Sequence, residues 1–588
     1  MKKLLTWLLA LLAYGAQASA ASPALALYYG DNPPWDALQA FDIVVVDPGH
    51  VPNPAAVAPA HTTLAAYVAV GEVQPSRPYA NSIPKAWLRG ENKDWGSRLI
   101  DQSQAAWPAF FTDNVIQPLW AAGYRSFFFD TLDSYQLFAK TPQERAQQEA
   151  GLVATIQAVK KRYPQAKLIF NRGFEILDRT GKLVDMVAAE SLFQGYDAGK
   201  GSYTTVSESD REWLLGQLRR ARDEFKLPIL AIDYVPPGQR DLARATAKRI
   251  SDLGFTPWVA TPDLTTLGVG SIEVMPRKVL VVHSPLQAEF ELNTLDPARL
   301  MAMPLNYLGY APEYLDTLHL PDHTLTGRYA GAVIWLTEEL SASERQKLAA
   351  WIQKQTTDKL PLAFVSLQSD LLDGAVGKTL GLNLRAAAGT NLPSVTQQDA
   401  SVGFERSPRP TADSFFGLTL AKGRPLLTLQ RDGISQHAAG IAPWGGYVID
   451  PYGVVNLPGG AGSRWVIDPF AFLRDALQLP DMPVADVSTE TGRRMLMVHM
   501  DGDGFVSRSE LPGNPLAGEV VRDRVVNKYP VPMTISVIEA ELSPQGLYPG
   551  LSALSEKVAQ DIFRAPPRCH RIAQLLPSLF LAQSGGNC

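Results

Sequence analysis

Eight apolar, β-rich runs lie between residues 25 and 261 of this chain, and they constrain its fold more than any other feature. They are Leu25 to Tyr29, Ile43 to Asp47, Leu64 to Gly71, Ser126 to Asp130, Leu168 to Asn171, Met186 to Glu190, Ile229 to Asp233 and Trp258 to Thr261. Each is continuously apolar rather than alternating, as strands of a parallel sheet buried on both faces should be. Helical patterns at Gln147 to Arg162, Ser209 to Phe225 and Arg240 to Leu253 are long enough for the crossovers that parallel strands require. Eight such strands close a (β/α)8 barrel, so residues 24–275 are expected to form one.

In such a barrel the C-terminal strand ends converge on one face, and that face carries the chemistry. Here the runs turn polar at Glu72, at Asp130 and Asp133, at Asn171, at Glu190 and at Asp233. Carboxylates at several strand ends suit glycoside hydrolysis, in which one acid protonates the departing oxygen while a second carboxylate attacks or activates water. Any one of them can instead cap a helix or pair with Arg172, but the set favours function. Trp35, Trp87, Trp95, Trp107 and Trp120 precede the fourth strand, and rings of this kind either stack on sugar faces or fill the core. Trp35, after Pro33-Pro34 at the end of the first strand, is the groove residue expected from position. The long stretch from Val73 to Gln117 is expected to form a wall of the site.

The segments Tyr28-Tyr29-Gly30, Phe129-Asp130-Thr131-Leu132-Asp133 and Ala188-Ala189-Glu190-Ser191 resemble the glycosidase domain of the enzymes that modify Pel exopolysaccharide. More distantly they are similar to endo-α-1,4-polygalactosaminidases. The resemblance implies an endo-glycosidase acting on α-1,4-linked N-acetylgalactosamine and galactosamine, with Asp133 and Glu190 as the catalytic pair. Asp133 is expected as nucleophile and Glu190 as acid/base, although the roles can be reversed and retention or inversion is left open. Trp35, Glu72, Asp130, Asn171 and Asp233 are the expected substrate contacts. No cofactor is implied for the hydrolase. The implied partners are a cationic amino-sugar polymer and a periplasmic or outer-membrane export protein. A non-catalytic polysaccharide clamp within an export assembly is the alternative.

Length places further domains beyond the barrel, since 588 residues exceed one core. Lys2 and Lys3, an apolar stretch from Leu4 to Tyr14 and the small residues Ala18-Ser19-Ala20 read as a signal peptide, residues 1–20, implying export to the periplasm. Without Lys2 and Lys3 the formal charge goes from −5 to −7, which disfavours nucleic acid as a partner and suits a cationic one. Residues 277–400 read as a flavodoxin-like α/β domain, with a helix that Ser343 and Gln346 can cap. Residues 401–485 read as an appended β-rich segment. No Gly-rich fingerprint and no cysteine nucleophile occur there, so no catalysis is expected of them.

Met500-Asp501-Gly502-Asp503-Gly504 resembles the box that opens NodB-type polysaccharide deacetylases, and residues 489–563 are expected to begin such a domain. By that resemblance Asp501 is the base and Asp503 a ligand of a divalent, zinc-type metal, expected only for an intact deacetylase. The family's His-x-x-x-His ligands do not follow. One base out of frame, codons for His570 to Phe580 can read Ile-Ala-Ser-His-Ser-Tyr-Ser-His-Pro-Phe, which contains that motif, so residues 564–588 are read as a frameshifted tail. Both cysteines, Cys569 and Cys588, fall in this tail, and packed cores rather than disulfides are expected to hold the remainder. With one carboxylate ligand and no histidine pair, deacetylase activity is expected to be lost.

Overall fold

The computed structural model describes residues 23–285, 291–372, 374–387, 389–460, 462–482, 498–529, 531, 533–564 and 571–575. The chain divides into two compact units at 483/484. The proposed signal peptide lies outside the described residues, as does the tail apart from 564 and 571–575. Among the described residues no helix is long and apolar enough to cross a membrane.

The first unit opens with eight parallel strands: β1 (Leu25–Tyr28), β2 (Ile43–Val46), β3 (Thr63–Ala69), β4 (Ser126–Asp130), β5 (Lys167–Asn171), β6 (Met186–Glu190), β7 (Ile229–Tyr234) and β8 (Thr256–Ala260). They follow one another in chain order, and a two-residue strand, β9 (Val269–Gly270), runs antiparallel to β8. The sheet is nearly closed into a barrel. Between its first and last members the Tyr29 amide donates to the Leu264 carbonyl at 2.7 Å. The apolar runs form these strands because both faces are covered: Phe127, Phe129, Phe170 and Ile232 are all fully buried. Helix α1 (Pro142–Arg162) starts at a Thr141/Glu144 capping box, α2 (Glu208–Asp223) at Ser207, and α3 (Arg240–Asp252) leads into β8. Within the long stretch after β3, three short strands form a small antiparallel sheet: Glu72–Val73, Leu88–Asn92 and Ser97–Ile100.

Beyond the barrel lies an eight-stranded sheet built from β10 (Lys278–His283), β11 (Ala311–Asp316), β12 (Gly331–Trp335), β13 (Leu362–Val365), β14 (Ser394–Gln398), β15 (Arg424–Arg431), β16 (Ile434–Ala442) and β17 (Gly445–Val448). Its spatial order is β11-β10-β12-β13-β17-β16-β15-β14, parallel as far as β17 and antiparallel after it. The expected boundary at 400/401 therefore does not separate two sheets. Chain from the supposed appendage returns to pair with β13, and the buried Tyr447 and Val448 share a core with Phe364 and Val365. The helix Ala342–Thr357 is capped by Ser341 with Glu344, not by Ser343 with Gln346. It begins two residues earlier than the pattern suggested, which puts Glu344 at the third helical position.

The second unit contains three parallel strands, Val498–Met500, Met533–Ile538 and Arg571–Leu575, with a helix at Ser552–Arg564. Phe505, Val526, Ile535 and Val558 form its small core.

Candidate active site

The polar strand ends of β4, β5 and β6 meet at one amide group. Asn171 Nδ2 donates to Asp130 Oδ1 at 2.7 Å and to Glu190 Oε1 at 3.0 Å. Two oxygens bound to one nitrogen at these distances lie no more than about 5.7 Å from each other. The outer oxygens each take a phenol: Tyr67 donates to Asp130 at 2.8 Å and Tyr234 to Glu190 at 2.5 Å. Burial holds both phenols well above their ordinary pKa, so they remain donors. Tyr29, with its ring centroid 5.1 Å from that of Tyr67, completes an aromatic wall beside the pair.

The electrostatics follow from this burial. Desolvation raises Asp130 against the pull of Tyr67 and Asn171. Desolvation raises Glu190 too, and the negative charge of Asp130 adds to it. Two carboxyls so close cannot both ionise freely, which is the arrangement that separates an acid from a nucleophile.

The backbone is shaped for this convergence. Thr131 and Arg172, the residues directly after β4 and β5, have φ of 61° and 60°. Left-handed backbone is uncommon for side chains of this size, and such conformations gather at functional sites. Thr131 is held there by its hydroxyl, which donates to the Asp130 carbonyl at 2.7 Å and accepts the Gly71 amide at 2.9 Å. Gly71 lies so close that a Cβ at this position would collide with the Thr131 carbonyl oxygen. Arg172 donates to the Glu190 carbonyl at 2.6 Å and stands 3.6 Å from the Asp133 carboxylate.

Of the residues singled out from sequence, Asp130, Asn171 and Glu190 are brought together. Asp133 is not part of that hydrogen-bonded pair. It lies past the turn, half-buried beside Arg172, with burial raising its pKa against the pull of that guanidinium. Asp233 does not face substrate: it is fully buried and accepts the amides of Leu192, Phe193 and Gln194 at 2.6, 2.7 and 2.7 Å. Successive strand side chains point to opposite faces, so Asp233 and Tyr234 cannot both reach Glu190, and it is the tyrosine that does. Glu72 is likewise buried, its oxygens taken by Asn92 at 3.1 Å, Ser134 at 2.5 Å and Ser97. Trp35 is half-buried against the barrel core. The site residues that sequence reasoning missed are Tyr29, Tyr67 and Tyr234. Tyr29 lies within the segment Tyr28-Tyr29-Gly30 and Tyr234 directly follows Asp233, and those positions are the only sequence signal for two of them.

In the second unit, Asp501 and Asp503 are exposed. Asp501 Oδ1 accepts the Gly502 amide at 2.9 Å and the Ser536 hydroxyl at 3.1 Å. Among the described residues no three His, Cys, Asp or Glu side chains gather as a metal-binding group, so this donor set does not fit a catalytic metal.

With this geometry in place, comparison with known proteins adds a family. Residues 12–281 match glycoside-hydrolase family GH114. The GH114 match covers the barrel and supports a glycoside hydrolase. Over 240 residues the chain is 28% identical to an uncharacterized protein of Deinococcus radiodurans, an alignment spanning 39% of this chain and 75% of that protein. Among solved structures it is similar to the glycoside hydrolase domain of PelA from Pseudomonas aeruginosa, with 36% identity, 43% of this chain and 100% of that chain covered, and a TM-score of 0.40. It is also similar to Aspergillus fumigatus Ega3, solved in complex with galactosamine, at 13% identity, 41% and 90% coverage and a TM-score of 0.30.

Proposed function

We propose that the GH114 barrel is a retaining endo-glycosidase with Glu190 as acid/base and Asp130, rather than Asp133, as nucleophile. The observation that carries this is the single Asn171 amide shared by the two carboxylates. Oxygens bridged by one nitrogen are closer than the about 6.5–9.5 Å at which inverting enzymes hold their carboxyls to admit a water, so the pair fits the retaining class. Glu190, raised by burial and by the Asp130 charge, donates its proton to the glycosidic oxygen as that bond breaks. Asp130, held by Tyr67 and Asn171, bonds to the anomeric carbon. Water, deprotonated by Glu190, then releases the sugar and restores both groups.

The substrate we infer is an exopolysaccharide of the Pel type, α-1,4-linked N-acetylgalactosamine partly deacetylated to galactosamine. Its free ammonium groups suit a face bearing Asp130, Asp133 and Glu190, and the sequence resemblance implies the same polymer. Export to the periplasm and work beside a polysaccharide export protein belong to this reading. The flavodoxin-like assignment of the middle sheet is supported by its five parallel strands in the order 2-1-3-4-5. The second unit we read as a deacetylase-like module inactive in this chain. The test is release of reducing ends from partly deacetylated α-1,4-linked poly-N-acetylgalactosamine by the full chain, beside Glu190→Gln and Asp130→Asn. Loss of release in both variants is expected; release that survives Asp130→Asn and disappears in Asp133→Asn would return the nucleophile to Asp133. Polymer binding without any release by the wild-type chain would make the barrel a clamp.

A further inference from the structure

Two antiparallel hairpins rise from the barrel's strand-to-helix connections on either side of the carboxylate pair. The first follows β3 and pairs Leu88–Asn92 with Ser97–Ile100; Trp95 in its turn is 59% exposed. The second follows β6 and pairs Gln194–Asp197 with Ser202–Thr205; Tyr203 on it is 37% exposed and leans edge-on against Tyr196 at 5.2 Å. In the strand order β3-β4-β5-β6, Asp130 and Asn171 fall between the two hairpins, and Glu190 ends the strand from which the second one springs.

Both hairpins are tied to the catalytic framework. Glu72 is gripped by Asn92 and Ser97 of the first hairpin and by Ser134 of the turn after Asp133. Gln74 Nε2 donates to the Trp95 carbonyl at 2.9 Å. The buried Asp233 carboxylate holds the amides of Leu192, Phe193 and Gln194, where the second hairpin starts. Trp107 is fully buried, and Trp35, Trp87 and Trp120 pack on the barrel core. Trp95 alone of the five early tryptophans is left with an exposed ring, on a turn whose backbone Gln74 holds. A tryptophan or tyrosine ring turns about only two side-chain torsions, so it loses little entropy when a sugar's apolar face stacks on it.

We propose that Trp95 and Tyr203 are sugar-stacking platforms at the two ends of an open groove, binding rings of the same polymer on opposite sides of the bond that is cut. A groove open at both ends accepts the interior of a chain. This inference rests on the glycosidase reading, so binding and turnover are measured separately. The experiment uses the full chain carrying Glu190→Gln, with polymer affinity measured by electrophoresis in gels containing partly deacetylated α-1,4-linked poly-N-acetylgalactosamine. Trp95→Ala and Tyr203→Ala, each added to that background, are expected to weaken binding roughly 3- to 10-fold, at the strength of one aromatic contact. The double variant should lose about the product of the two. Trp95→Phe and Tyr203→Phe should keep most of the affinity. In the active background the alanine variants should raise KM on polymer and leave kcat within about twofold, as loss of uniform binding does. Unchanged binding in both alanine variants, with the Glu190→Gln parent still retained by the polymer, would overturn the platforms and spare the hydrolase reading. Failure of the parent to bind at all would overturn both.

Discussion

Tyr234→Phe tests the electrostatic core of the site, because it deletes one hydrogen bond while keeping the buried ring. The phenol donates to Glu190 Oε2 at 2.5 Å, and such a donor stabilises the ionised carboxyl more strongly than the neutral one. A hydrogen bond to a charged group contributes about 1.5–3 kcal/mol. Since about 1.4 kcal/mol corresponds to one pKa unit, the variant should raise the Glu190 pKa by roughly one to two units. If Glu190 is the acid, the form that works is the protonated one. The basic limb of kcat/KM against pH should then move to higher pH by that amount, with the acidic limb less affected. Stability must follow with a definite sign. A carboxyl whose folded pKa lies above its unfolded value costs stability as pH rises between the two, and burial already places Glu190 in that class. The substitution widens this window, so the variant should melt nearly like the wild type at a pH where Glu190 is protonated and lower once it ionises. A basic limb that stays put, or moves to lower pH, would refute the assignment of Glu190 as acid with Tyr234 as its partner.

Asp130→Asn should lower kcat on the order of 10³-fold and shift the basic limb to lower pH, because the negative charge that helps to raise Glu190 is gone; a pH–rate profile reads both effects. Asp133→Asn, which loosens a half-buried contact with Arg172 at 3.6 Å, should cost about fivefold or less in kcat/KM. Asp233→Asn replaces an acceptor of three backbone amides with a group that must present an NH2 to at least one of them, and should destabilise the chain by about 3 kcal/mol in a denaturant melt. Treatment with a chelator should leave polymer cleavage unchanged, since the proposed chemistry uses two carboxyls; activity lost to EDTA and restored by zinc would contradict it.

The strands of the barrel were legible because they are apolar on both faces. A run such as Ser126 to Asp130 stands out without knowledge of its neighbours, and its observed bounds are the same. The strand ends were legible for the same reason, since a continuous apolar run that stops at Asp, Asn or Glu marks where the barrel opens. The middle sheet was only half legible. Strands 424–431 and 434–442 read as a separate element because pairing between 445–448 and 362–365 joins residues some eighty positions apart, and nothing local records it.

The barrel and the short list of polar residues at its open end follow from the apolar runs and from where they stop. Which of them act together was decided only by the tertiary structure. Asp130 and Asp133 are three positions apart and chemically alike, yet only Asp130 shares an amide with Glu190, because the turn at Thr131 carries Asp133 out toward Arg172. Asp233 and Tyr234 are neighbours, yet strand alternation turns one to the loop after β6 and the other to Glu190. Trp35 and Trp95 differ in exposure because one packs on the core and the other lies in the turn of a hairpin. Residue type follows from the gene alone, but facing, burial and shared hydrogen bonds depend on chain segments that meet only when the barrel closes.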